Sequence, residues 1–301
     1  MRALRFHSYG DPADVLRLER AAPPEPGPDQ VRITVEACGL TPADWAICGG
    51  LHTGDFPRGI GLEASGTVDA LGPGVTGVGI GDPVFGPTVY TGPSAGAADQ
   101  ALLSAWFRCP AGLGAAEAAA LPMATETAAR GLAALGDVSG RTVLISGAGT
   151  TVGFAAAQIA LRHGARVIAS AGKTYADVLR EAGADVVAYG EGLGERVTTL
   201  VGGPVDLVFD AAPAGVMPEL LTTVTAPAHI VTATDFDALK NLGVRSTGMD
   251  MHHHVLGEYA ELAAQGRFTI PVAATYALED WREPVAVSRS GQARGKLVLV
   301  P

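Results

Sequence analysis

Apolar and polar positions follow two different rhythms along this chain. In the first third they alternate over short runs at Arg2–Phe6, Val15–Glu19 and, most regularly, Gln30–Ala37. A period of two predicts half-buried strands. Ala21–Pro28 is a proline-rich connector, and Thr41–Gly49 reads as a loop with a short helix. Glu63–Val75 predicts a strand interrupted by Gly66 and closed by Gly72-Pro73-Gly74, and Gly79–Gly86 predicts a turn leading into another strand. Many short strands punctuated by glycine and proline imply a small barrel or sandwich.

From about Ala115 the rhythm changes. Ala115–Leu135 is alanine-rich and helical in pattern, with a break expected at Pro122. Buried runs then alternate with helical ones. Strands are predicted at Val143–Ile145, at the run ending Ile168-Ala169-Ser170, and at Val186–Tyr189, Val205–Asp210 and His229–Ala233, with Val244–Met249 a further candidate. Helices are predicted at Leu193–Val201, Met217–Thr225 and Tyr259–Gln265. This alternation implies a doubly wound parallel sheet. A helix over Glu279–Ser290 and a strand over Gly295–Pro301 finish the chain, whose 301 residues suffice for two domains.

The segment Val143–Ser170 compresses strand, glycine turn, helix and second strand into about thirty residues, the first βαβ unit of a dinucleotide-binding fold. Gly147 and Gly149 are expected to turn the backbone sharply, and Gly153 to bring the helix close to the sheet. The first helical turn, with Val152, would then offer free N–H groups to a pyrophosphate. The spacing G-x-G-x-x-x-G is one residue longer than the usual fingerprint. Thr150 and Thr151 stand where small glycines are expected, and either their hydroxyls help to hold phosphate or the backbone approach is compromised. After Ser170 no acidic residue is available for an adenosine ribose until Asp177, inside the next helix. Lys173 with Tyr175 suits a 2′-phosphate and an adenine, which favours NADPH over NADH. The plainer alternative is a solvated loop lysine.

A net charge of −10 argues against nucleic acid or an anionic membrane as partner. The three cysteines form no C-x-x-C pair, the N-terminus has no apolar signal core, and no run of eighteen apolar residues reads as a membrane span. A cytoplasmic location is expected.

The order and spacing of several short motifs resemble the medium-chain dehydrogenase/reductase superfamily, in particular its zinc-free quinone oxidoreductase (zeta-crystallin-like) branch. These are Pro26-Gly-Pro28, Gly39–Trp45, Gly61–Gly66, Gly72–Asp82, Ala118–Pro122, the βαβ unit, Phe209-Asp210 and Ala293–Leu299. The resemblance implies an α/β protein: a Rossmann doubly wound parallel sheet over residues 118–266, plus a GroES-like β-barrel domain made from 1–117 and 267–301. The active site is expected in the cleft between them. A homodimer is implied, pairing through Val244–Asp250.

Zinc-dependent relatives carry cysteine where Thr41 stands and histidine where Leu62 stands, so no metal is expected. Cys38 reads as a core thiol, and His252-His253-His254 as a loop or helix start. The resemblance implies hydride transfer to a small-molecule quinone or α,β-unsaturated carbonyl. Thr41, Thr127 and His52 are the candidates to polarise or protonate the acceptor, the family usually having asparagine at 41 and often tyrosine at 52. Trp45 and Tyr90 are candidates for the pocket. The cofactor set is Gly147, Gly149, Thr150, Thr151, Val152, Gly153, Ser170, Lys173, Tyr175, Ala211 and Thr232. Ala98 and Ala129 replace usual tyrosines, which implies a roomier pocket. The alternative from another class is a member that binds cofactor without hydride chemistry, sensing NADPH or running a redox-neutral reaction.

Overall fold

The protein is described as a computed structural model covering residues 1–213 and 215–301. It divides into two compact units, Met1–Met123 with Leu256–Pro301, and Ala124–Val255. The sequence places the changeovers at 117/118 and 266/267.

Unit 1 opens with β1 (Arg2–Phe6), α1 (Pro12–Val15), β2 (Arg17–Arg20), β3 (Val31–Leu40), α2 (Pro42–Cys48), β4 (Arg58–Gly59), β5 (Glu63–Leu71), β6 (Pro83–Pro87), β7 (Gln100–Leu103) and β8 (Phe107–Arg108). The expected strand at Val15–Glu19 is displaced because Asp11 caps a helical turn begun by Pro12, its side chain accepting the Ala13 N–H. Strand β3 organises the larger sheet. One edge pairs with β5 along most of its length, and the other is shared by β7, at Val31–Thr34, and the last strand of the chain, at Cys38–Leu40. Gly66 does not interrupt β5. A Cβ there would lie 2.0 Å from the Thr34 carbonyl oxygen, so glycine lets the two strands approach across a register shift. The core beneath contains Phe6, Ile33, Leu103 and Trp281, all essentially inaccessible.

Helix α3 (Ala115–Leu135) carries the chain from unit 1 into unit 2 and runs through Pro122 without ending. The expected break is absent because the surroundings supply what proline disrupts. The Met123 N–H donates to Glu63 at 2.7 Å, and the other Glu63 oxygen is 2.5 Å from the Lys296 ammonium. Glu63 and Lys296 are 0% and 3% exposed at the side chain. The buried carboxylate therefore acts as an N-cap for the second half of the helix, where the helix dipole favours negative charge.

Unit 2 continues with β9 (Thr142–Ser146), α4 (Thr151–Arg162), β10 (Arg166–Ser170), α5 (Lys173–Glu181), β11 (Asp185–Val187), α6 (Leu193–Val201), β12 (Leu207–Asp210), α7 (Met217–Leu221), β13 (Ile230–Thr232), α8 (Phe236–Asn241) and β14 (Arg245–Ser246). Its strands form one parallel sheet in the order β11-β10-β9-β12-β13-β14, the expected doubly wound topology. Helix α7 is shorter than its sequence pattern suggests, and α8 was not foreseen. The chain then returns to unit 1 as α9 (Leu256–Ala264), β15 (Val272–Ala277), α10 (Arg282–Arg289) and β16 (Lys296–Val300), with β15 and β16 closing the sheet beside β3. Strand β15 is also absent from the sequence reading. No helix among the described residues is long and apolar enough to cross a membrane.

Candidate functional site

In unit 2 the strand order reverses between β9 and β12, and the carboxyl ends of such strands border a ligand crevice. The glycine turn sits there. Gly147 has φ +72°, and a Cβ on it would lie 2.6 Å from the Ala212 backbone. Gly153 differs from expectation, since its Cβ would meet the Gly147 carbonyl oxygen at 2.1 Å. It lets α4 close onto its own turn rather than onto the sheet. Among the described residues Gly149 has neither a positive φ nor any neighbour nearer than 3.9 Å to a built Cβ, so none of them requires glycine there.

Thr150 is the N-cap of α4. Its hydroxyl accepts the Gly153 N–H at 3.0 Å and is placed to donate to the Gly147 carbonyl at 2.8 Å or the Ala211 carbonyl at 3.3 Å, so its hydrogen bonding is spent within the turn and on the end of β12. The N–H groups of Gly149, Thr151 and Val152 have no acceptor among the described residues. They lie at the positive end of a twelve-residue helix.

Beside this turn, buried Ser170 ends β10, its carbonyl accepting the Ala148 N–H at 2.9 Å. Lys173 is exposed and is the first residue of α5 rather than a loop lysine. The Tyr175 ring packs 5.3 Å from that of Phe154 on α4. Tyr189, 68% exposed, stands against Gly172, where a Cβ would be 3.1 Å from its ring. Sequence reasoning missed it because the predicted strand Val186–Tyr189 runs through it, whereas β11 ends at Val187. Arg196 offers no free cation, because it donates to the carbonyls of Ala188, Tyr189, Gly190 and Glu191.

Ala211 and Thr232 are buried at the ends of β12 and β13. Asp210 joins them, accepting the Thr232 hydroxyl at 2.9 Å and the Ala212 N–H at 3.1 Å, with burial raising its pKa. Helix α3 packs on β12 where a Cβ on Gly131 would strike the Phe209 ring. Its last residue, Leu135, shares a groove of about 380 Å³ with Leu207 at the start of β12. The helix therefore runs antiparallel to β12. Thr127, half-buried, lies one turn before Gly131, about 6 Å nearer the carboxyl ends of the strands. The next-door Glu126 is buried and paired with Arg130 at 2.8 Å. It also accepts the His252 N–H at 2.9 Å. A short 3-10 turn, His253–Val255, follows His252, and burial lowers the His253 pKa.

Unit 1 places its candidates differently. Thr41 is 7% exposed and caps α2, with its N–H 2.8 Å and its hydroxyl 3.2 Å from the same Asp44 oxygen. Asp44 also accepts the Gly61 N–H at 2.7 Å, and full burial pushes its pKa up to about 6. The Thr41 hydroxyl hydrogen is thus committed to Asp44, which revises the expectation that it polarises an acceptor. Trp45 is half-buried on the unit's core, and its indole N–H donates to Ser288 at 2.8 Å. His52 is exposed, with its ring 6.3 Å from that of Tyr90, which packs partly on the same core. Ala98 is fully buried and bridged to Ala3, so its small size fills core instead of widening a pocket. No three His, Cys, Asp or Glu side chains among the described residues come together as a metal site would require, and Cys38 is inaccessible, its thiol pKa pushed up by burial.

Residues 27–129 match the family model for the alcohol dehydrogenase GroES-like domain, and residues 182–299 that for zinc-binding dehydrogenase. The quinone oxidoreductase of Sus scrofa is 36% identical over 178 residues, 57% of this chain and 53% of that protein. A putative inactive phenolphthiocerol synthesis polyketide synthase of Mycobacterium tuberculosis is 38% identical over 157 residues, 52% of this chain and 9% of that protein. The chain thus spans about half of the first and a small fraction of the second. Among solved structures, the quinone oxidoreductase from Coxiella burnetii superposes with a TM-score of 0.86 at 26% identity, over 100% of this chain and 99% of that one.

Proposed function

The chain belongs to the medium-chain dehydrogenase/reductase superfamily, and from that premise we propose that it is an NADPH-dependent, zinc-independent reductase of quinones or α,β-unsaturated carbonyl compounds. The observation that carries this reading is the turn Gly147–Gly153, whose unbonded N–H groups open at the reversal point of a parallel sheet. Such a turn fits a pyrophosphate. Gly149 supports it as well, since a residue the fold does not need to be glycine leaves room for a ligand to approach the backbone. Exposed Lys173 suits a 2′-phosphate, with Tyr175 two residues further along α5 and Tyr189 against the preceding Gly172.

NADPH, when bound, supplies a hydride at its nicotinamide. The chain's own residues do the rest of the work. In unit 2, Thr127 offers a hydroxyl on the crevice side of α3. In unit 1, His52 offers an imidazole to hand a proton to the reduced oxygen or carbon. Thr41 serves by fixing α2 through Asp44. Acceptors that leave an enolate or hydroquinone anion suit this set, because hydrogen bonds alone can stabilise such charge. Edge strand β14, exposed at Arg245 and Ser246, is the proposed pairing surface of a homodimer, to be checked by sedimentation.

Fluorescence titration with NADPH and NADH tests the reading. NADPH is expected to bind at least ~10-fold tighter, about 1.4 kcal/mol, and Lys173→Ala to erase that preference while leaving NADH unchanged. Turnover of quinones or enones completes the test. Binding of neither nucleotide would sink the reductase.

A further inference from the structure

Arg58 is an anomaly. It opens β4, is 1% exposed, and among the described residues no carboxylate oxygen lies within 4.0 Å of it. Removing a guanidinium from water with no counter-charge is costly. What it gains instead is specific. Nη1 donates to the carbonyl of His52 and stands 3.5 Å from the Tyr9 hydroxyl, while the guanidinium lies over the Phe6 ring at 5.8 Å. Nε is buried without a partner, so the group is closed to an incoming anion.

Tyr9 extends the arrangement. Its hydroxyl accepts the Gly54 N–H at 2.7 Å and lies 3.2 Å from the Gly54 carbonyl. The Phe56 ring packs 4.8 Å from Tyr9 and 5.9 Å from Phe6. Residues 51–56 are otherwise exposed and belong to no helix or strand. The side chains that hold them therefore come from below, and Arg58 stands at the centre.

The geometry points to Arg58 as a positioning residue: its buried guanidinium pins the His52 backbone, and so fixes the imidazole that stands beside Tyr90. The assignment rests on the reading of His52 as proton donor. A carboxylate beside Arg58 would take the donors that now grip the segment, which accounts for the missing counter-ion. Charge strengthens the bond to a carbonyl. Lysine does not substitute, being a point charge on a flexible stem without the planar fork.

The test compares Arg58→Met and Arg58→Lys in the full chain by hydrogen exchange and by kinetics. In Arg58→Met, exchange across residues 50–57 is expected to rise about 10-fold, with the rest of unit 1 within about 2-fold. The acceptor kcat/KM falls about 10-fold, NADPH affinity is unchanged, and the pH profile of kcat flattens. Arg58→Lys recovers less than half of either effect. Unchanged exchange, uniform acceleration throughout unit 1, or normal turnover despite a loosened segment would each overturn the proposal. Should Arg58→Met not fold, Tyr9→Phe removes one anchoring oxygen but keeps the charge, and exchange over 50–57 should rise about 3-fold; no rise counts against the proposal. If the unaltered protein reduces no quinone or enone, the reductase reading fails by that result alone, and exchange still decides whether Arg58 holds the segment.

Discussion

The glycine turn of unit 2 and the His52 segment of unit 1 are both short, irregular and proposed to meet a ligand, yet they are held in opposite ways. The turn closes largely on itself. Gly147, Thr150, Gly153 and Phe154 exchange most of its hydrogen bonds within eight residues of chain. The His52 segment makes no such closure and depends on Arg58 beneath it and on Tyr9, 45 residues away from Gly54. A self-closed turn fails when one atom is added, and a propped segment fails when one distant side chain is removed.

Adding atoms to the turn gives the sharpest test. Gly153→Ala places a methyl 2.1 Å from a backbone oxygen that has nowhere to go. It should cost about 3 kcal/mol or more in urea unfolding and abolish nucleotide binding. Gly149→Ala, with no neighbour inside 3.9 Å, should leave stability within about 0.5 kcal/mol yet weaken NADPH binding. Similar behaviour of the two variants would erase the distinction.

The next largest effect lies in unit 1, at Asp44. Its folded pKa of about 6 exceeds the ordinary 3.8, so the folded state binds the proton more tightly than the unfolded one. Stability is highest when Asp44 is protonated and declines as pH rises from about 4 to about 6, by about 3 kcal/mol in all. Asp44→Asn removes this decline. Denaturation from about pH 4 to about pH 7 should show the asparagine variant gaining on the parent across that window, and parallel curves would contradict the assignment. A smaller effect is expected from His52→Phe, which should lower kcat at least ~10-fold without touching NADPH affinity; an unchanged kcat removes His52 from the chemistry. Smallest is Thr150→Ala, which deletes a helix cap and should cost about 1 kcal/mol by thermal or chemical unfolding.

The same contrast explains what was legible in the sequence. Elements specified by their own residues were read well: β1 and α6 have the predicted ends, and the βαβ unit lies where the pattern put it. Errors gathered where a distant residue decides. Pro122 reads as a helix break until Glu63 is seen accepting the N–H of Met123, 60 residues further along the chain. Gly66 reads as an interruption until Thr34 lies against it. Strand β15, Val-Ala-Ala-Thr-Tyr-Ala, half-buries alternate residues, but its alanines hide the alternation from a hydrophobicity pattern. At the site, the glycines and Thr150 were visible as a motif. Arg58 was not, since a lone arginine after proline reads as a surface charge, and only the fold reveals that it is buried without an anion.

The Glu63–Lys296 pair also sets a clock on biosynthesis. Its two members are separated by 233 residues. At about 5–20 residues per second, on the order of 10–50 s pass between making the carboxylate and making its cation. During that interval unit 2, an uninterrupted stretch from Ala124 to Val255, emerges complete. Unit 1 meanwhile waits with the Cys38–Leu40 edge of β3 unpaired and a charge meant for its interior unanswered. Of the two units, the one whose synthesis begins earlier is therefore the one completed later.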